Sequence, residues 1–189
     1  RVPLYGVFCI MSELQILDSA RALLGGADAL PFWQVITRLG DGGMLWIALG
    51  VFFLFFKPVR RTGCAIGVAL FIGFVLCNAT LKPLVDRLRP CEAHPGDLLY
   101  ACPSDPSFPS GHTTASFAAA LALTAFHPRW GAAALTLAVL VAWSRLYLFV
   151  HWPTDVAAGI LIGTLGAAVG ATLIRRWTAP ALGRLPRPH

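Results

Sequence analysis

Charge is what this chain has least of. Of its 189 residues, 13% are Asp, Glu, Lys or Arg, while 57% are hydrophobic. A soluble domain carries about 25% charged residues, because its surface has to be wetted. A chain this poor in charge cannot cover itself with polar groups, which excludes a free-standing soluble globule and makes it a membrane protein. Acidic residues are scarcest, with none between Asp41 and Asp86 and none between Asp105 and Asp155. The basic excess, +6 in net charge, is not arranged as a stripe interleaved with aromatics. That argues against a nucleic-acid surface, and no nucleic-acid partner is expected. Residues 1–10 precede the first methionine, Met11. Their apolar stretch is short and lacks a small-residue cleavage site, so they read as an upstream extension or trimmed segment, not a signal peptide.

Apolar runs are what the chain has in abundance. Five segments read as spanning helices, over about 42–57, 63–82, 111–127, 130–148 and 154–174. A span needs roughly 20 apolar residues; the first is short, and the third is diluted by Thr113, Thr114 and Ser116. Gly and Ala crowd the last three, a composition that lets helices pack closely in lipid. Ahead of them, Leu14, Leu17, Ala20 and Leu24 recur at helical spacing, with Glu13, Asp18 and Arg21 off that stripe. This reads either as a helix lying in the interface plane or as one packed on the bundle. The expected fold is an all-α integral-membrane bundle of five spans. An N-terminal interfacial region runs to residue 41, a transmembrane domain over 42–177 and a tail over 178–189.

The basic residues orient that bundle. Lys57, Arg60 and Arg61 lie between the first two spans, Arg129 between the third and fourth, and Arg175, Arg176, Arg184 and Arg187 after the fifth. Alternating crossings put all of these on one side and every acidic residue on the other. The positive-inside rule makes the basic side cytoplasmic, C-terminus included, so loop 83–110 and turn 149–153 face outward. Cys64 and Cys77 fall inside the second span and read as small buried hydrophobes. Cys91 and Cys102 bracket part of the outward loop, where an oxidising exterior permits a disulfide. A zinc site there is the poorer reading, since His94 is the only further ligand nearby.

Ionisable residues at span ends are expensive and point to function. Three polar groups stand out, all on the outward side. Lys82 and Arg89, seven apart, share one face if the helix continues, and two such cations repel unless an anion sits between them; alternatively both snorkel. Ser110, Gly111 and His112 open the third span. Ser110 suits a cap, the first-turn N–H groups suit an anion, and His112 would stand beside it, unless it is simply interfacial. In the third group, Arg145 closes the fourth span and Asp155 lies in the first turn of the fifth, within reach of His151. A carboxylate on one imidazole nitrogen leaves the other free as a nucleophile; the plainer alternative is a capping Asp155. Together the groups form a phosphoryl-transfer constellation: fixed positive charge, a nucleophile and an acid.

The pattern Lys82…Arg89-Pro90, Pro109-Ser110-Gly111-His112 and Ser144-Arg145…His151…Asp155 resembles the signature of the type 2 phosphatidic acid phosphatase superfamily at every fixed position. The resemblance implies that His151 attacks phosphorus, Asp155 holds its imidazole, and His112 protonates the leaving oxygen and then activates water. It implies that Lys82, Arg89, Ser110, Gly111 and Arg145 bind the phosphoryl oxygens, with no metal or cofactor. Asp86 and Arg87 match no fixed position and read as structural. Many membrane relatives have six spans, against the five counted here.

The expected activity is hydrolysis of a lipid phosphomonoester or diphosphate, of the undecaprenyl diphosphate, phosphatidic acid, phosphatidylglycerol phosphate or lipid A type. Its partners are then the phosphorylated lipid and the bilayer. A phosphotransferase using the same phosphohistidine, or a non-catalytic membrane protein of the same fold, are the alternatives. Oligomeric state is not legible.

Overall fold

The computed structural model describes residues 4–95 and 100–178, with side chains from residue 12 onward. The expected tail, with Arg184 and Arg187, lies outside the described residues except for Thr178. Among the described residues every regular element is helical. Helix α1 (Leu4–Leu23) is followed by Gly25 in the left-handed region (φ 102°), and a 3-10 turn leads into α2 (Leu30–Leu39). A second turn, Asp41–Gly43, joins α2 to α3 (Met44–Leu54).

The region 12–41 is therefore not one interfacial helix. Leu17 and Ala20 of α1 are buried against Ala142, Leu146, Phe149, Trp152 and Val156, so its stripe packs on the bundle. Residues Gly26–Leu54, 29 in all, form an apolar stretch long enough to cross a membrane by length and composition. Arg60–Ala93, Pro128–Tyr147 and Pro153–Thr178 meet the same criterion. By length and composition these helices suit a chain that crosses the membrane several times.

The third expected span is α7 (Gly111–Phe126), with 16 residues. Its length is roughly 24 Å against a hydrocarbon core of roughly 30 Å. It need not match the lipid, because it runs through the middle of the bundle. It packs on α4 (Arg60–Phe74), α8 (Pro128–Tyr147) and α9 (Pro153–Thr178), with Ala118, Ala119, Ala120 and Ala122 fully enclosed.

After Phe74 the second span widens into a π-helical stretch, Val75–Leu81. The Thr80 hydroxyl donates to the Val75 carbonyl five residues back (2.9 Å), and Pro83 has no N–H to return to residue 79. Such bulges re-aim side chains near functional sites, and here the next residue is Lys82. Only four more residues are helical, α5 (Lys82–Val85). Asp86 then turns left-handed (φ 45°), and Arg89 is extended ahead of Pro90 and the short α6 (Pro90–Ala93), as a residue before proline prefers. Lys82 and Arg89 thus do not share a helical face. Cys91 and Cys102 are disulfide-bonded, with Cα atoms 5.9 Å apart.

Small residues hold α9 in place. A Cβ on Gly159 would lie 2.8 Å from the Ser110 carbonyl oxygen and one on Gly163 2.7 Å from that of Thr114, both of the α7 segment. Gly166 and Gly170 make equally close approaches to Ala69 and Ala65 of α4. Lipid offers no hydrophobic force between helices, so this intimacy carries the association. We expect Gly163→Val to wedge α9 from α7 and cost about 1–3 kcal/mol, seen as a lower melting temperature in detergent. Leu161→Val, on a lipid-facing side chain that is 71% exposed, should leave the melt unchanged.

Candidate active site

One end of the bundle gathers the polar residues. The opposite end is basic and is tied together by the Phe53–Trp130 ring contact and by Arg175, which donates to the Ala125 carbonyl. A cavity of about 480 Å³ opens at the polar end, and Lys82, Arg89, Gly111, His112, Arg145 and His151 all line it. Both imidazoles therefore face one space. Its other wall is apolar, with Ile47 of α3 and Leu70, Phe71 and Phe74 of α4.

His151 sits in the turn between α8 and α9 and is 1% exposed. Its Nδ1 lies 3.5 Å from Asp155 Oδ2, within ion-pair range but long for a hydrogen bond. Its Nε2 lies 3.3 Å from Arg89 Nη1. A guanidinium can only donate, so Nε2 carries the lone pair and the proton resides on Nδ1, facing the carboxylate. Burial, reinforced by Arg145 and Arg89, lowers the His151 pKa to about 3 despite the opposing pull of Asp155. Burial thus favours the neutral ring, whose Nε2 lone pair faces Arg89 Nη1 at the cavity wall.

Asp155 is fully buried and fully engaged. Its Oδ2 accepts from the Ser107 hydroxyl and from the Trp152 N–H (2.8 Å). Its Oδ1 accepts from Arg87 Nη1 (2.7 Å). Arg87 also pairs with Glu13 of α1, which explains why Glu13 is buried although helical spacing sets it off the apolar stripe.

The cations differ in how they are neutralised. Lys82 pairs with Asp105 Oδ2. Arg89 donates to Asp105 Oδ1 (2.9 Å), the Asp105 carbonyl (2.8 Å) and the Val150 carbonyl (2.6 Å). Burial works against the Asp105 charge, but Lys82 and Arg89 outweigh it and hold that carboxyl at about 2. Arg145, 2% exposed, donates to the Thr37 hydroxyl. Among the described residues it has no acidic partner within salt-bridge distance, and its Nε makes no hydrogen bond.

Ser110 occupies the N-cap position of α7 without capping it. Its hydroxyl accepts from the Thr113 hydroxyl (2.9 Å), and its N–H donates to the Asp155 carbonyl (3.1 Å). The first-turn N–H groups are thus not consumed by a cap side chain, and Gly111 brings that backbone to the cavity wall. His112 Nε2 meets Asp41 Oδ1 at 2.9 Å. Among the described residues no three His, Cys, Asp or Glu side chains cluster as a metal site.

Residues 62–179 match the PAP2 superfamily. The chain belongs to the PAP2 superfamily. A lipid A 4'-phosphatase of Bacteroides thetaiotaomicron is 31% identical to it, over 93% of this chain and 84% of that protein. An undecaprenyl-diphosphatase of Sulfolobus acidocaldarius is 37% identical, over 64% of this chain and 59% of the relative. This PAP2 chain thus spans little more than half the length of that relative. Among solved structures, Aquifex aeolicus LpxE superposes with a TM-score of 0.73 at 26% identity, covering 84% of this chain and 94% of that one. A transmembrane PAP2 type phosphatidylglycerolphosphate phosphatase from Bacillus subtilis gives 0.71 at 25%, covering 89% and 87%.

Residues outside the PAP2 pattern complete the site: Glu13, Asp41, Arg87, Asp105 and Ser107. For Asp105 and Ser107 the signal was their place just before Pro109-Ser110-Gly111-His112; nothing in spacing marks Glu13 or Asp41. Arg87→Met would strand two buried carboxylates, Glu13 and Asp155. We expect a loss on the order of 3 kcal/mol, read as a lower melting temperature, and a smaller loss for Glu13→Gln, which strands no charge.

Proposed function

We propose that this protein is a membrane lipid phosphatase working through a phosphohistidine at His151. The observation that carries the proposal is Arg145, buried, with no carboxylate partner among the described residues and with an unbonded Nε, beside a cavity lined by both imidazoles. Leaving a buried charge unpaired costs several kcal/mol, so the cavity calls for an anion. Open N–H groups at the start of α7 suit the same anion.

In the reading we favour, the His151 Nε2 lone pair attacks phosphorus in line and forms an N–P bond while the P–O bond to the lipid breaks. His112 gives its proton to the departing oxygen. Asp155 steadies the Nδ1–H and the positive charge on the phosphorylated ring. Water then attacks phosphorus, His112 takes its proton, and the N–P bond breaks to release inorganic phosphate. Lys82, Arg89, Arg145 and the Gly111 N–H stabilise the equatorial oxygens, while Ser110 holds the start of α7 in place through its N–H on the Asp155 carbonyl. No step requires a metal.

The apolar wall supports a lipid substrate. Phe71 and Phe74 line the cavity and are also 68% and 58% exposed on the outside of the bundle, so the reaction space continues to the lipid-facing surface. Relatives named for undecaprenyl diphosphate and lipid A support a phosphorylated or diphosphorylated membrane lipid. The positive-inside rule supports an outward-facing site and a cytoplasmic C-terminus, because Lys57, Arg60, Arg61, Arg129, Arg175 and Arg176 lie at the opposite end.

The test is phosphate release from detergent-solubilised diphosphate and monophosphate lipids with EDTA present. We expect full activity in the chelator and a loss of at least roughly 1,000-fold in His151→Ala. His112→Ala should lose roughly 100-fold or more. Metal-dependent turnover, or unchanged rates in both variants, contradicts the reading.

A further inference from the structure

Helix α2 ends and α3 begins within four residues, Gly40-Asp41-Gly42-Gly43. Gly42 and Gly43 both take positive φ, 58° and 67°, a conformation that side-chain-bearing residues rarely adopt. The reversal brings the Asp41 carboxylate to the first turn of α7, with Oδ1 2.9 Å from His112 Nε2. A second contact fixes the same ring independently. A Cβ at Gly40 would fall 2.9 Å from His112 Cδ2 and 2.9 Å from Val141 Cγ1. The imidazole and the Val141 side chain therefore close on the space that a side chain at Gly40 would fill, and the ring rests against bare backbone.

This contact is not a folding clamp. The Asp41 side chain is 52% exposed, and His112 is the one partner it has in a hydrogen bond or ion pair among the described residues. An exposed pair of this kind contributes little to stability. It does have a chemical consequence. A carboxylate oxygen only accepts, so it keeps a proton on Nε2 and leaves Nδ1 to exchange a proton with a reacting oxygen. Lys82, Arg89 and Arg145, with the Asp105 carboxylate already bound to the first two, line the same cavity as His112. Asp41 is the anion held against His112 itself.

We propose that Asp41 is a positioning residue for the acid–base step, holding His112 as Asp155 holds His151. The site then contains two carboxylate–imidazole pairs, one for the nucleophile and one for the proton. Asp41 lies outside the residues that match the PAP2 superfamily, 62–179, so the α2–α3 turn supplies part of the proton machinery from beyond the matched region. The proposal rests on the phosphohistidine reading above.

The balance is one proton per half-reaction. Nδ1–H passes to the leaving oxygen as the P–O bond breaks, and Nδ1 regains a proton from the attacking water. Throughout, Nε2–H stays on Asp41. A leaving group that departs without a proton makes the first transfer unnecessary.

The test compares leaving-group release in a single turnover for a lipid phosphate and for p-nitrophenyl phosphate, using the full-length protein in detergent. Asp41→Asn should slow release from the lipid roughly 10–100-fold with KM little changed, and slow p-nitrophenol release by less than about 3-fold. Asp41→Glu should recover part of the lipid rate, and the melting temperature of both variants should match the parent. Equal losses on both substrates, a loss carried by KM alone, or no loss at all would overturn the assignment of Asp41. His112→Ala and His151→Ala, run alongside, separate the two levels. If either keeps the parent rate on lipid, the phosphohistidine reading itself fails.

Discussion

Four cations converge at one end of a bundle that has almost no charge elsewhere in its interior, and their neutralisation organises the molecule. Lys82 and Arg89 share Asp105, and Arg87 is divided between Glu13 and Asp155. Each pairing joins segments far apart in sequence. Glu13 brings α1 to the bundle, Asp105 ties the segment ahead of α7 to Lys82 and Arg89, and Asp155 fixes the start of α9. Arg145 alone among these four is left without an acidic partner within the described residues. In a low-dielectric setting that imbalance is costly, and an anion with several oxygens relieves it.

Much of this end was legible beforehand, because the groups involved carry fixed short spacings. Lys82, Arg89, Gly111, His112, Arg145 and His151 were picked out by residue type and spacing, and they line a single cavity. The apolar runs were legible too, since lipid demands length and composition that few other roles do. What escaped was set by backbone turns and long-range pairing. The left-handed turn at Asp86 replaces the helix that would have aligned Lys82 with Arg89. The Ser110 hydroxyl accepts from Thr113 three residues on instead of capping α7, a choice between two local partners that residue type does not decide. Glu13 and Asp41 gain their partners across 74 and 71 positions of sequence, beyond the reach of any local period.

The same economy of charge links packing to chemistry. Close helix contacts through Gly159 and Gly163 seat α9 against α7, which brings the Asp155 carbonyl to the Ser110 N–H and the His151 turn to the α7 terminus. Because α7 is short and enclosed by protein, its first turn serves as the floor of a polar cavity and not as a membrane-surface cap. The apolar side of that cavity is shared with residues that also face lipid. A substrate with a charged head and an apolar tail fits both requirements, each half meeting the environment it needs.

On the proposed mechanism, His151 and His112 address one phosphorus atom from opposite sides within a ring of cations. Orthovanadate, which takes up the five-coordinate geometry of a phosphoryl-transfer transition state, tests this most directly in an experimental structure. On that mechanism vanadium bonds to His151 Nε2, with its equatorial oxygens on Lys82, Arg89 and Arg145 and its far oxygen within hydrogen-bond reach of His112. Vanadate bonded to His112, or bound away from both imidazoles, would contradict it.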